Sequence, residues 1–248
     1  MRCQPQSQYS VYIWLKNKQT CLLCDETTDA LFAICVPCES ELPWLGDHCW
    51  HCALPLAMSD LMSDQSCAQC AMQPPAFDEV LTPWLYDFPV DSLVTRFKHQ
   101  GNWPMGRLLS ELLGQFLQHR FDEGQPKPDL LLPVPLATKR MRQRGYNQAA
   151  MLADWLGQHL QLPVHDRLLI RSRETPAQQG LDAKARKRNL RGAFALLDAE
   201  KIAGRHVALI DDVLTTGSTA DAIAQLLIKA GARRVDVYCL ARTPKPED

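Results

Sequence analysis

No stretch of this 248-residue chain approaches the ~20 consecutive apolar residues of a membrane-spanning helix. The apolar run Val11–Leu15 falls short of the roughly 7–15 residues of a secretory leader, and no small-residue cleavage site follows it. These absences point to a cytoplasmic chain with no membrane insertion. Charge of one sign is lacking too: 27 Lys and Arg against 28 Asp and Glu leave a net −1. That balance excludes a globally basic nucleic-acid-binding surface and confines any basic footprint to a local patch. Heptads, tandem repeats and low-complexity tracts are missing, and neither G-x-x-x-x-G-K-[ST] nor G-x-G-x-x-G occurs, which weighs against triphosphatase and dinucleotide-binding chemistry. What is present, 46% hydrophobic and 22% charged residues, suffices for a core and excludes wholesale disorder.

Of the 10 cysteines, eight form Cys-x-x-Cys pairs: Cys21/Cys24, Cys35/Cys38, Cys49/Cys52 and Cys67/Cys70. A two-residue spacer folds into a knuckle that aims both sulfurs at one point, so paired knuckles make the tetrahedral site of a zinc ion. A reducing cytosol disfavours the disulfide alternative. The eight thiols make two complete four-thiolate sites, structural because no coordination position is left for substrate. Sequential pairing closes shorter loops than cross-bracing and is the expected arrangement. A core this small contributes only ~3–5 kcal/mol, whereas a structural zinc ion contributes on the order of 10–16 kcal/mol, so metal decides whether the segment folds. His48 and His51 flank the third knuckle and read as surface residues, and Cys239 reads as a small core residue.

The texture changes at Met72–Ala76, which reads as a linker between an N-terminal extension (1–20) with a cysteine module (21–72) and a larger domain (78–248). Strands are expected at Leu81–Tyr86, Leu130–Pro135, His206–Ile210 and Val235–Leu240, and helices at Val90–His99, Pro104–Phe121, Asn147–Leu160 and Thr219–Ala230. Alternating strands and helices specify an α/β fold, a parallel sheet with helices on both faces. Arg171–Gly192 lacks an apolar period and reads as a mobile arm, basic through Arg171, Arg173, Lys184, Arg186, Lys187, Arg188 and Arg191. Trp84, Trp103 and Trp155 sit among apolar neighbours and read as core.

The most informative stretch runs from Val207 through Asp211-Asp212 to Thr215-Thr216-Gly217-Ser218-Thr219. A buried strand delivers two carboxylates to its C-terminal end, where open α/β sheets bind ligands. A small, hydroxylated turn then opens a helix, whose unpaired N–H groups and dipole cradle an anion. Gly217 lets the backbone approach closely. Carboxylates for sugar hydroxyls beside a cradle for phosphate suit a ribose 5-phosphate.

This stretch resembles the phosphoribosyl-pyrophosphate signature of type I phosphoribosyltransferases. Pro133-Val134-Pro135-Leu136, then Arg140, Arg142, Arg144-Gly145-Tyr146-Asn147-Gln148, Gln179 and Arg188–Phe194, together with Leu93–Gly101 and Lys98, resemble the ComF family of competence proteins, as does the double zinc module. The resemblance spans nearly the whole chain. It implies a type I phosphoribosyltransferase-like fold with a double zinc ribbon, and a cytoplasmic role in handling or using taken-up DNA. It implies that Asp211 and Asp212 hold the ribose hydroxyls, and through them Mg²⁺, and that Thr215, Thr216, Gly217, Ser218 and Thr219 hold the 5-phosphate of phosphoribosyl pyrophosphate or a nucleotide. Pro133, Val134 and Pro135 would face the pyrophosphate with Arg140, Arg144 and Arg188 near it. The basic arm and zinc ribbons also suit a non-catalytic module for single-stranded DNA, and DNA-uptake proteins are expected partners. Thr215 stands where some purine-salvage relatives carry an acidic residue, which puts purine-type chemistry in doubt.

Overall fold

The computed structural model describes residues 19–56, 65–172, 190 and 192–245. These fall into two compact units divided between Leu42 and Pro43. In the smaller unit β1 (Gln19–Thr20) pairs antiparallel with β2 (Thr27–Thr28), and the short helix α1 (Val36–Ser40) follows Cys35 and carries Cys38.

The larger unit begins its regular structure with α2 (Ala68–Met72), which starts just after Cys67. Met72–Ala76, read from sequence as a linker, follow inside this same unit. Next come β3 (Glu79–Leu81), β4 (Trp84–Leu85), α3 (Val90–Gln100), α4 (Trp103–Asp122) and β5 (Leu130–Pro133). The single strand expected at Leu81–Tyr86 is two short ones; Pro83, with no N–H to donate, stands at the break. Then follow α5 (Thr138–Arg144), α6 (Gln148–Leu160), β6 (Leu169–Arg171) and β7 (Phe194–Leu196). Helix α5 was not apparent from sequence because none of its residues is buried and it has no apolar stripe to announce it. The chain closes with β8 (His206–Leu214), α7 (Ser218–Lys229) and β9 (Arg234–Arg242).

The sheet has the order β3-β9-β8-β5, with β4 continuing along β9, and every pairing in it is parallel. Central strands of such a sheet are covered on both faces and read as continuous apolar runs. Val207, Ala208, Leu209 and Ile210 are accordingly all fully buried. Val207, Leu209, Val235, Val237 and Cys239 share a core with Ile223, Ala224 and Leu227 of α7. Tyr238, on the opposite face by the period of 2, meets Phe121 of α4. The Cys239 thiol, as a core residue, is pushed up to about 12 by burial. Ala53, with Cys52 and Leu45 against it, belongs to the same core as α7, so the third knuckle is built onto the sheet domain.

Both long strands run past their expected ends, β8 to Leu214 and β9 to Arg242, pairing Asp211 with Cys239 and Leu214 with Arg242. Parallel pairing outlasts the apolar pattern there because each strand supplies the other's hydrogen bonds. Trp84 is buried and Trp155 half-buried, but Trp103 is 55% exposed, contrary to its reading as core: it opens α4, and its ring pair among the described residues is the edge-on one with Tyr146. Most of the basic arm, including Arg188, lies outside the described residues. Among the described residues no helix is long and apolar enough to cross a membrane.

At the N-terminal ends of β8 and β9 lies a buried ion network. Asp236, fully buried, sits 2.7 Å from His206 Nε2 and accepts from Arg234 Nε at 2.8 Å, while Arg234 Nη2 reaches Glu79 at 2.8 Å. Truncating one partner of such a network strands the others. Asp236→Ala is therefore expected to cost about 3–5 kcal/mol in urea unfolding; an unchanged midpoint would show that the network adds nothing.

Candidate functional site

At the C-terminal ends of β5 and β8 a cavity of about 740 Å³ opens. Asp211 and Asp212 lie on one wall, where the Asp212 amide donates to Asp211 Oδ1 at 2.9 Å and the Val213 amide to Asp212 Oδ1 at 2.7 Å. Lys98 crosses from the end of α3 to place Nζ 3.0 Å from Asp212 Oδ1. Its perch is built: Tyr146 donates its hydroxyl to the Phe97 carbonyl, and Gln148 donates its amide to the Lys98 carbonyl at 3.3 Å. Asn147, whose side chain caps α6 at the Ala149 amide, also donates to the Val134 carbonyl at 3.0 Å, fixing the loop after β5.

The hydroxylated turn closes the cavity's other side through Thr215 and Thr219. Gly217 adopts φ +72, a conformation that side chains strain to reach, and the Phe77 ring lies 3.6 Å from where a Cβ would stand. Thr216 and Ser218 share a hydroxyl–hydroxyl bond of 2.9 Å, and the Ser218 amide makes one long bond of 3.4 Å to Thr216 Oγ1. Among the described residues no group accepts from the Thr215, Thr216 or Gly217 amides. A run of such donors at the mouth of a 12-residue helix is the arrangement with which helix N-termini bind anions.

The cavity gathers Val134, Pro135, Arg140, Arg144, Asp211, Asp212, Thr215 and Thr219 of the residues singled out from sequence. Pro133 is drawn into β5 opposite Ile210, so the facing loop starts at Val134. Thr216, Gly217 and Ser218 belong to the turn but do not line the cavity. On α5, Lys139, Arg140 and Arg144 face the cavity while Arg142 does not, as a 3.6-residue period dictates. The ring of cations around two carboxylates suits a polyanion that brings hydroxyls of its own.

The cysteines form two separate clusters, Cys21/Cys24/Cys35/Cys38 and Cys49/Cys52/Cys67/Cys70, each with its sulfurs within 4.8 Å of one another. This is the sequential arrangement, one cluster in each unit. Across knuckles, Cys24 and Cys35 sulfurs lie 3.6 Å apart and Cys52 and Cys67 sulfurs 3.7 Å. A zinc tetrahedron with ~2.3 Å bonds has an edge of ~3.8 Å, so each cluster fits one such ion. The described cysteines are all free of disulfides.

Residues 147–248 match the family model of the phosphoribosyl transferase domain. Competence protein F of Haemophilus influenzae is 36% identical over 211 residues, covering 84% of this chain and 90% of its own. The DNA utilization protein YhgH of Escherichia coli is 36% identical over 213 residues, covering 86% and 91%. Competence protein ComFC of Bacillus subtilis is 27% identical over 250 residues, covering 92% and 96%. The chain belongs to the ComF family.

Four residues in or beside this ComF-family site had no assigned place in the pocket in the sequence. Lys98 appeared there only as part of the family likeness, since nothing local says that α3 ends facing β8. Lys139 and Gln143 complete the α5 wall. Arg242 lies beyond the last expected strand yet is 6% exposed, its guanidinium among backbone carbonyls beneath the turn.

The Asp211 carboxyl is pushed up to about 7, first by burial and second by the neighbouring Asp212 charge. The folded chain thus holds a proton there that the unfolded chain has released, from the ordinary carboxylate range up to about 7. That proton's stabilisation is complete at low pH and is lost as pH rises through 7. Asp211→Asn is expected to flatten this decline and to melt ~2–4 °C above wild type at pH 8. Parallel melting profiles of the two proteins from pH 5 to 8 would contradict it.

Proposed function

We propose that this ComF-family protein acts in cytoplasmic handling or use of taken-up DNA, and that its cavity binds phosphoribosyl pyrophosphate or a nucleotide 5-phosphate. The observation that carries this reading is that two adjacent carboxylates line one cavity with Thr215 and Thr219, which bracket a turn whose Thr215, Thr216 and Gly217 amides have no acceptor among the described residues. Asp211 and Asp212 accept the ribose hydroxyls and through them would hold the Mg²⁺ that accompanies the diphosphate. Thr215, Thr216, Gly217, Ser218 and Thr219 hold the 5-phosphate. Val134 and Pro135 face the diphosphate with Arg140 and Arg144, and with Arg188, which lies outside the described residues. Mg²⁺ supplies charge neutralisation to the diphosphate.

Lys98 has a defined part in this reading. It balances Asp212 until a sugar hydroxyl takes over the carboxylate, after which its ammonium turns to the ligand's phosphates. In a transfer, the bond from the anomeric carbon to the pyrophosphate oxygen breaks and a bond to an acceptor nitrogen forms. The nitrogen's proton leaves, and the cations stabilise the departing charge. The two four-thiolate clusters hold two structural zinc ions.

Calorimetry with phosphoribosyl pyrophosphate and Mg²⁺ is expected to show binding that weakens at least about tenfold in Asp212→Ala and severalfold in Lys98→Ala. No binding by wild type would remove the phosphoribosyl reading. Metal analysis is expected to find two zinc ions per chain, and a folded metal-free protein would refute the cluster assignment.

A second reading, a non-catalytic single-stranded DNA module, draws on the exposed Trp103 beside Tyr146 and on Lys139, Arg140 and Arg144 on one side of α5. An aromatic near a row of cations suits base stacking along a tracked backbone. Oligonucleotide affinity should then fall with salt at a slope of about −0.7 per neutralised phosphate and drop in Trp103→Ala. A salt-indifferent affinity argues against it.

A further inference from the structure

Arg242 joins two parts of the larger unit that have no sequence proximity. Its Nε donates to the carbonyl of Cys52 at 2.8 Å. Its Nη1 is shared among the carbonyls of Leu214 at 3.2 Å, Thr243 at 2.6 Å, and Thr215. The first acceptor belongs to the knuckle of the second four-cysteine cluster, and Leu214 and Thr215 lead into the hydroxylated turn. The Thr243 amide also donates to Leu214 at 3.1 Å, so the end of β9 grips the approach to the turn twice.

A second path runs through the segment after Cys70. The Ala76 amide donates to Asp221 Oδ1, in the first turn of α7, at 2.8 Å. The Phe77 ring packs beneath Gly217. The turn is thus held from one side by the Cys49–Cys52 knuckle and from the other by the chain leaving Cys67–Cys70.

The knuckle's shape depends on its metal. Ala53 sits at φ +54, where an alanine is strained, with its amide turned back onto the Cys49 carbonyl at 2.7 Å. Four sulfurs on one ion would brace that turn more firmly than four free thiols. If the knuckle relaxes, the Cys52 carbonyl moves and Arg242 is left with a buried, unmatched N–H. Leaving such a donor unmade is costly, so the guanidinium shifts and takes Leu214 and Thr215 with it.

We propose that Arg242 is a positioning residue that couples metal loading of the Cys49/Cys52/Cys67/Cys70 cluster to the shape of the Thr215–Thr219 turn. Metal at the cluster and a phosphorylated ribose at the turn then bind cooperatively. Coupling is reciprocal: each ligand raises the other's affinity by the same factor. This rests on the reading of the turn as a 5-phosphate site. The Cys21/Cys24/Cys35/Cys38 cluster lies in the other unit and has no such link to the turn in this scheme.

The test uses the full-length, zinc-loaded chain and ribose 5-phosphate as probe. The protein is exposed to a zinc chelator and N-ethylmaleimide, and mass spectrometry follows labelling of each cysteine with and without the sugar phosphate, whose binding is measured separately by calorimetry. Ribose 5-phosphate is expected to slow labelling of Cys49, Cys52, Cys67 and Cys70 by about fivefold or more, the low end of typical coupling, and to leave Cys21, Cys24, Cys35 and Cys38 unchanged. In Arg242→Lys a single ammonium cannot span the Cys52 and Thr215 carbonyls. Zinc content and sugar-phosphate binding should persist there while the protection ratio falls towards one. That variant also separates coupling from general stabilisation of the unit, which would survive it. Should Arg242→Lys fail to fold, the wild-type ratios at the two clusters decide alone. Calorimetric binding with equal labelling, or equal protection of both clusters, overturns the coupling and leaves the phosphate site standing. Absence of binding overturns the phosphate reading, and the coupling with it.

Discussion

Two carboxylates side by side at the end of a buried strand are the constraint around which this molecule is arranged. Asp211 and Asp212 follow four fully buried apolar residues of β8, where dielectric screening is poor and like charges repel. The chain meets that repulsion in two ways. Asp211 retains its proton up to about 7, and Asp212 takes Lys98 as partner at 3.0 Å. The clamp on the end of α3, the Asn147 cap and the α5 wall all serve to hold cations around those acids.

The four-cysteine clusters have different settings although their motifs are alike. The first lies in a small unit whose regular elements among the described residues are a two-stranded hairpin and a five-residue helix. The second shares the core of the sheet domain through Ala53 and reaches the Thr215–Thr219 turn through Arg242. A metal bound there would, under the proposed coupling, organise backbone next to that turn. Thiolate chemistry recognisable from spacing alone thus takes on two structural duties, set by what each knuckle packs against.

Family membership and the phosphoribosyl transferase domain agree with the geometry at the level of the fold: a parallel sheet with a cavity at the carboxyl ends of its strands, where open α/β sheets bind ligands. The cavity's walls are cationic and amide-rich, which selects for phosphates, whereas the exposed Trp103 and half-buried Tyr146 are the aromatic surfaces available beside Arg144 for a base.

Much was legible in advance because it is local. Hydrophobic runs bounded by charged or small residues located the two central strands and the helices covering them. Cys-x-x-Cys spacing located the four-cysteine clusters. The Asp-Asp and Thr-Thr-Gly-Ser-Thr run located the junction of β8 with α7, since a strand, a turn and a helix in succession need no distant partner to be recognised. What escaped was non-local or unpatterned. The extension of β8 and β9 past their apolar stretches depends on each strand finding the other. Helix α5 buries nothing and so leaves no periodic trace. Trp103 has apolar neighbours in sequence but solvent in space.

Sequence by itself therefore determined the chemistry of this protein: thiolates in knuckles, paired acids, and a hydroxylated cradle, each a matter of residues a few positions apart. Only the tertiary structure decided which distant groups answer that chemistry. Lys98 for Asp212, and Arg242 between Cys52 and Thr215, are contacts across more than a hundred and about 190 residues of chain respectively. The physical reason is that a side chain's partner is chosen by packing of the elements that carry it, and no local pattern records which element arrives beside which.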